Sequence, residues 1–206
     1  MRLIDVHARL LNMGVPIFQT SDAAAYLGLG SAHASKLLAR LAASGHVTKL
    51  GRGRWGFKEL IDPLALPEYL TAPYPSYVSL QSALYHHGMI SQIPSVLYAV
   101  SPARTKKHRT ALGTVSIHHL DPSLFFGHQP AGKGPGKIAT PEKALIDFLY
   151  LSPTRTRLFR ALPELEIPAG FKVSEARKII RRIRSVRRRN HVSRLFEALW
   201  KGRANG

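Results

Sequence analysis

Residues 16–57 run PIFQTSDAAAYLGLGSAHASKLLARLAASGHVTKLGRGRWGF, and glycine punctuates the segment twice in a way that restricts its fold. Gly28-Leu29-Gly30 separates two short helical patterns, and Gly51-Arg52-Gly53 separates two short strand patterns. Glycine supplies the positive-φ backbone of tight turns, so the segment predicts helix, turn, helix and then a hairpin. Ahead of it, Leu3, Val6, Leu10 and Met13 recur at helical spacing and predict a first helix over residues 2–13, ended by Gly14. Pro16-Ile17-Phe18 reads as extended, and Thr20 or Ser21 as the cap of a second helix carrying Ala23, Ala24 and Leu27. Ser31 is the expected N-cap of a third helix running to about Ser44. The pattern of residues 1–58 is that of a winged helix-turn-helix, a module that places its second helix-turn-helix helix in the DNA major groove.

The third helix can be oriented from its spacing. Ala34, Leu37, Leu38 and Leu41 fall on one face and belong to a core. The opposite face carries Ala32, Lys36, Ala39, Arg40 and Ala43, flanked by His33 and Ser35. Small residues let the helix backbone approach a groove while Lys36 and Arg40 reach phosphate or base edges. Taken alone, such a face is equally an ordinary solvated one, since Ala and Lys are good helix formers. The hairpin favours DNA: Arg52 sits at its tip, with Lys49 and Arg54 at its base.

Charge points the same way. The net charge of +18 divides into +6 over residues 1–58, +2 over 59–171 and +10 over 172–206. A polyanionic partner is the simplest reason for that excess. The absence of cysteine excludes disulfides and thiolate zinc sites. Asp5, His7 and Arg9 interrupt the first apolar residues, so no signal-peptide core is expected. No apolar run approaches the ~18 residues of a membrane span, and the expectation is a cytoplasmic, prokaryotic protein without a membrane partner.

Residues 58–75 contain four prolines and read as a linker that partly packs, with its Pro-rich centre at 59–73. Beyond it the texture is mixed α/β. Residues 77–88 predict a helix closed by Gly88, residues 95–100 and 114–119 predict strands, and Arg104, Lys106, Lys107 and Arg109 fall in their connection. Residues 138–149 predict another helix, with Thr140 suited to the N-cap and Pro141 to the first position.

With YVSLQSALYHHGMISQIP and KIATPEKALIDFLY following the N-terminal module, residues 3–150 resemble the AbiEi family. These are the antitoxin and transcriptional-regulator halves of abortive-infection, type IV toxin–antitoxin systems. The resemblance implies a repressor that binds repeats in its own promoter. It also implies a C-terminal domain opposing a nucleotidyltransferase-like toxin without a tight complex. It fixes no neutralising residue.

Other motifs carry less. Residues 127–134, GHQPAGKG, nearly match a phosphate-binding loop, but Gly134 stands where Ser or Thr should hold magnesium and no helix starts at Lys133. The pairs His86-His87 and His118-His119 point their side chains apart on a helix or strand, so neither a metal site nor acid–base catalysis is expected. Glu142 and Asp147 share their helix with Lys143 and read as surface charge or capping. No cofactor and no enzymatic activity are expected.

Near the C-terminus, Ser174 is the expected cap of a helix to Arg189 with an apolar stripe of Ala176, Ile179, Ile180, Ile183 and Val186. Asn190 would end it, and Val192, Leu195, Phe196, Leu199 and Trp200 suggest a short closing helix. Its arginines, among them Arg177, Arg181, Arg184 and Arg188, would face nucleic acid or, in the alternative, an RNA or an acidic protein. The expected architecture is α+β: a winged helix-turn-helix (1–58), a Pro-rich linker (59–73) and a mixed α/β domain (74–206) ending in basic helices. The candidate DNA-binding residues are Ser31, His33, Ser35, Lys36, Arg40, Lys49, Arg52, Arg54, Arg177, Arg181, Arg184 and Arg188.

Overall fold

A computed structural model describes residues 2–132, 134–152 and 164–204, with side chains to Trp200. Lys133 of the phosphate-loop-like motif lies outside the described residues. The described chain is mixed α+β and contains two sheets.

The N-terminal unit begins with α1 (Leu3–Leu11), β1 (Ile17–Gln19), α2 (Thr20–Leu27) and α3 (Ser31–Ala43). It closes with β2 (Thr48–Gly51) and β3 (Arg54–Gly56), and β3 pairs antiparallel with both β1 and β2. Val6, Leu10, Phe18, Leu27, Leu38, Leu41, Trp55 and Phe57 form its core. The expected caps are displaced by one residue. Gln19, not Thr20 or Ser21, caps α2, its backbone N–H donating to Asp22 Oδ2 at 2.8 Å. Gly30, not Ser31, caps α3, and no side chain bonds that helix's first N–H groups. Between α2 and α3 the backbone turns at Gly28, which adopts φ +67°.

The segment expected to be a partly packed linker carries regular structure. Short 3-10 turns at Lys58–Leu60 and Pro63–Ala65 lead into α4 (Leu66–Thr71), which buries Leu66 and Leu70. Pro63 and Pro67 sit where they start helical turns rather than break them.

The second sheet has the order β6-β7-β5-β4-β9-β8. Its strands are β4 (Tyr77–Val78), β5 (Leu97–Ser101), β6 (Lys106–Thr110), β7 (Gly113–His119), β8 (His128–Pro130) and β9 (Lys137–Ala139). Helices α5 (Leu80–His86), α6 (Pro141–Leu151), α7 (Val173–Arg181) and α8 (Val186–Ala204) pack with it around one large core. Two expected helices are therefore shorter at their start. Tyr77 and Val78 pair with β5 and Ile138 and Ala139 with β8, each dipeptide running directly into the helical pattern that follows it. Lys106, Lys107 and Arg109 of the cationic connection lie in the edge strand β6.

Helix α6 corrects the expectation of surface charge most sharply. Thr140 caps it through Oγ1 to the Lys143 N–H, as expected, but the helix is enclosed by α5, α7 and α8. Lys143 and Asp147 are each 1 % exposed and form an ion pair. Asp147 Oδ2 also accepts from Tyr77 Oη at 2.9 Å and Ser79 Oγ at 2.8 Å. The Lys143 ammonium lies over the Tyr77 and Phe126 rings. Burial raises the Tyr77 hydroxyl pKa well above its ordinary value, and the Asp147 charge reinforces the shift. Buried charge is tolerated only when paired and hydrogen-bonded; this cluster meets that requirement.

The C-terminal helix is broken. After Arg181 the chain leaves the helix and re-enters at Val186, where Ser185 Oγ accepts from the Arg188 N–H. Asn190 lies inside α8 rather than at an end, and the second apolar patch belongs to that same helix. Ala176, Ile179, Ile180 and Ile183 are buried as the stripe predicts, whereas Val186 is 58 % exposed because the break rotates it away.

The two sheets are tied together. Leu50 occupies the register shift of the β2–β3 pair, where Lys49 faces Trp55 and Gly51 faces Arg54. Such a bulge re-aims a side chain, and Leu50 is buried with Ile17, Ile61, Leu66, Leu70, Ala99, Val115 and Ile117 in one cluster spanning both units. Strand β2 accordingly packs against β6, edge beside edge.

Candidate nucleic-acid interface

The hairpin projects from a fixed base. Gly53 turns it with φ +66°, a conformation that L side chains resist. The Thr20 N–H donates to the Gly53 carbonyl at 2.9 Å, and the Trp55 indole N–H donates to Thr20 Oγ1 at 2.9 Å. The start of α2 is thereby stitched to the turn. Trp55 is buried, and Lys49, directly across the strand pair, holds its ammonium 5.6 Å from the indole ring centre. Arg52 at the turn is exposed and Arg54 half-buried; burial lowers the Arg54 pKa from its ordinary value.

Helix α3 presents Ser31, His33, Ser35, Lys36 and Arg40 to solvent, while Ala34, Leu37, Leu38 and Leu41 are buried, as the spacing predicts. Ser35, Thr20, Lys49, Arg52 and Trp55 line one open groove of about 540 Å³. Arg109, from β6 of the second sheet, lines the same groove.

Arg109 is the residue that sequence reasoning missed. Its neighbours Lys106 and Lys107 are also exposed, and His108 turns inward near Lys106 and Arg54, its pKa lowered by burial and then by those two charges. A signal was available: residues 23–58 and 69–120 contain no Asp or Glu, so the cations of both stretches lack a carboxylate from their own segment. Among the described residues none of Lys36, Arg40, Lys49, Arg52, Arg54 or Arg109 forms an ion pair. The described ion pairs lie elsewhere, as in Lys137–Glu68 at 2.7 Å.

The C-terminal arginines divide. Arg177 donates from Nε and Nη2 to both carboxylate oxygens of Glu197, at 3.0 and 3.1 Å, tying α7 to α8. Arg188 lies 4.6 Å over the Tyr150 ring, Arg182 lies 3.6 Å over Phe126, and Arg189 donates to the Ile183 carbonyl. Of these, Arg177 joins α7 to α8 and Arg188 joins α8 to α6. Arg181 and Arg184 remain exposed; hydrogen bonds from Ser123 lower the Asp121 carboxyl's pKa, and the Arg184 charge adds to that shift.

The paired histidines take separate partners, as where His118 Nε2 lies 3.1 Å from Ser116 Oγ. His87 Nε2 donates to the Ala139 carbonyl at 2.7 Å, and His119 Nδ1 bonds the carbonyls of Pro102 and Ala103. Among the described residues no three His, Asp or Glu side chains are grouped as metal ligands, and no helix is long and apolar enough to cross a membrane. No protein-family model matches the chain, and no curated protein matches it.

Proposed function

We propose that residues 1–58 are a winged helix-turn-helix and that the chain is a duplex-DNA-binding transcriptional repressor. The observation that carries this is the groove shared by α3, the β2–β3 hairpin and Arg109, bordered by unpaired cations and no carboxylate. In this reading α3 enters the major groove, with Lys36 and Arg40 reaching bases or phosphates and His33 and Ser35 adjusting specificity. Arg52, Lys49 and Arg54 grip the backbone, and Arg109 extends that grip along the strand. The uncapped first turn of α3, begun at Gly30, leaves N–H groups available to a phosphate oxygen.

The AbiEi resemblance extends the proposal. The repressor autoregulates its operon in the cytoplasm and, as a type IV antitoxin, opposes a nucleotidyltransferase-like toxin; no cofactor or catalysis is invoked. The RNA- or protein-directed alternative draws on the C-terminal arginines; Arg177 and Arg188, counted toward DNA as well, are engaged in internal contacts and serve neither reading. A mobility-shift titration on DNA upstream of the chain's own reading frame, beside structured RNA, separates the two. Binding preferential to the duplex, and lost on joint charge reversal of Arg52 and Arg54, is expected. RNA preference, or unchanged binding by that variant, contradicts the reading.

A further inference from the structure

One groove of the molecule is lined chiefly by apolar residues. It has a volume of about 340 Å³ and lies between α5, the loop preceding β5 and the β6–β7 turn. Its walls include Leu64, Tyr85, Val96, Leu97 and Leu112, and no lining residue is Lys, Arg, Asp or Glu. That is unusual in a chain where one residue in five is charged. At its rim stands Ile93, 72 % exposed, beside Tyr85 at 40 %. A large aliphatic side chain held that far into water has a cost that burial against an apolar surface relieves.

We propose that this face is the contact between two copies of the chain, each Ile93 entering the other copy's groove. Two observations select a second copy over a foreign protein. First, a two-fold contact uses the same patch twice, so that patch must hold both a projection and a recess of matching chemistry; Ile93 and the groove provide them side by side. Second, two chains of +18 repel wherever their cations meet, and a patch without charge is where they can touch without burying one. An acidic partner would be drawn to the cationic faces instead. The groove reaches Leu112 and Gly113, beyond the end of β6 that carries Arg109. Pairing therefore holds two candidate DNA grooves at a fixed spacing, each Arg109 adjoining the contact through its strand partner Thr114. The fifteen lining residues fall short of the ~20–30 per side of a standard interface, so the dimer is a weak, concentration-dependent one.

Sedimentation equilibrium of the full chain tests this without DNA, so its outcome is separate from that of the DNA reading. The expected mass rises with concentration from 22.8 kDa toward twice that value. Ile93→Glu should weaken association by about tenfold or more, since it places a charge at the centre of the contact. Ile4→Glu, at the 57 % exposed Ile4 of α1, should leave association unchanged, and far-UV circular dichroism checks that both variants fold. A wild-type chain that stays at monomer mass throughout the micromolar range overturns the proposal. So does a dimer that tolerates Ile93→Glu or dissociates equally with Ile4→Glu.

Discussion

Lys143 and Asp147 show how far burial changes the meaning of a residue. Four positions apart on α6, they have the spacing of an exposed helix pair, which contributes only a few tenths of a kcal/mol. Enclosed by α5, α7 and α8, each holds a charge that its partner must neutralise. Lys143→Met alone leaves the Asp147 carboxylate uncompensated and should cost about 3–5 kcal/mol in chemical denaturation. Lys143→Met with Asp147→Leu should recover much of that loss; a double variant less stable than the single one contradicts the account. Exposure could not be read from the spacing, because the helix pattern PEKALIDFLYL has apolar residues nearly all round. At Gly53 the reverse holds. A glycine two residues after another reads as a turn, and φ +66° is found there. Gly53→Ala should cost about 1 kcal/mol or more, since the native conformation is one that alanine resists.

At the scale of elements, α3 and the hairpin strands were legible because their apolar residues recur with one period and glycines mark their ends. Strands β4, β8 and β9 were not: Tyr77-Val78 and Ile138-Ala139 run on into helical patterns, and His128–Pro130 carries no apolar alternation. Strand β6 was missed for another reason: KKHRT is polar throughout, and an edge strand is held by its backbone pairing to β7. The α7–α8 break was hidden by arginines that continue the helical composition through it. Ser185 caps the restart, so Ser185→Ala should cost about 0.5–2 kcal/mol in thermal or urea unfolding. No change there would mean that the restart is set by packing of Ile183 and Val192 alone.

The whole molecule is joined by the cluster of Ile17, Leu50, Leu66, Ala99, Val115 and Ile117. Ile117→Ala should cost about 2–5 kcal/mol and lower one shared calorimetric transition rather than split it. Two transitions, with only the later one moved, contradict the coupling. Acid should destabilise the same body. His108, His118 and His128 have folded-state pKa values lowered from 6.5, chiefly by burial. The unfolded chain therefore binds more protons, and stability is full above the unfolded pKa and falls as pH drops through it. The midpoint of thermal unfolding should decline between pH 7.5 and 5.5, and His118→Gln should reduce the slope. A midpoint rising toward pH 5.5 has the opposite sign and excludes these imidazoles as the cause.

Coupling of the two units also makes the candidate interface longer than the N-terminal sequence pattern alone implies, since Arg109 arrives from the second sheet. Fluorescence anisotropy of a duplex carrying the bound site, titrated at several salt concentrations, reads that interface directly. Each phosphate contact contributes about 0.9 to the log–log salt slope. Arg52→Ala with Arg109→Ala should weaken binding and flatten the slope by about 1.8, two contacts' worth. Affinity and slope indistinguishable from those of the unsubstituted chain would place the DNA elsewhere, or nowhere, on this protein.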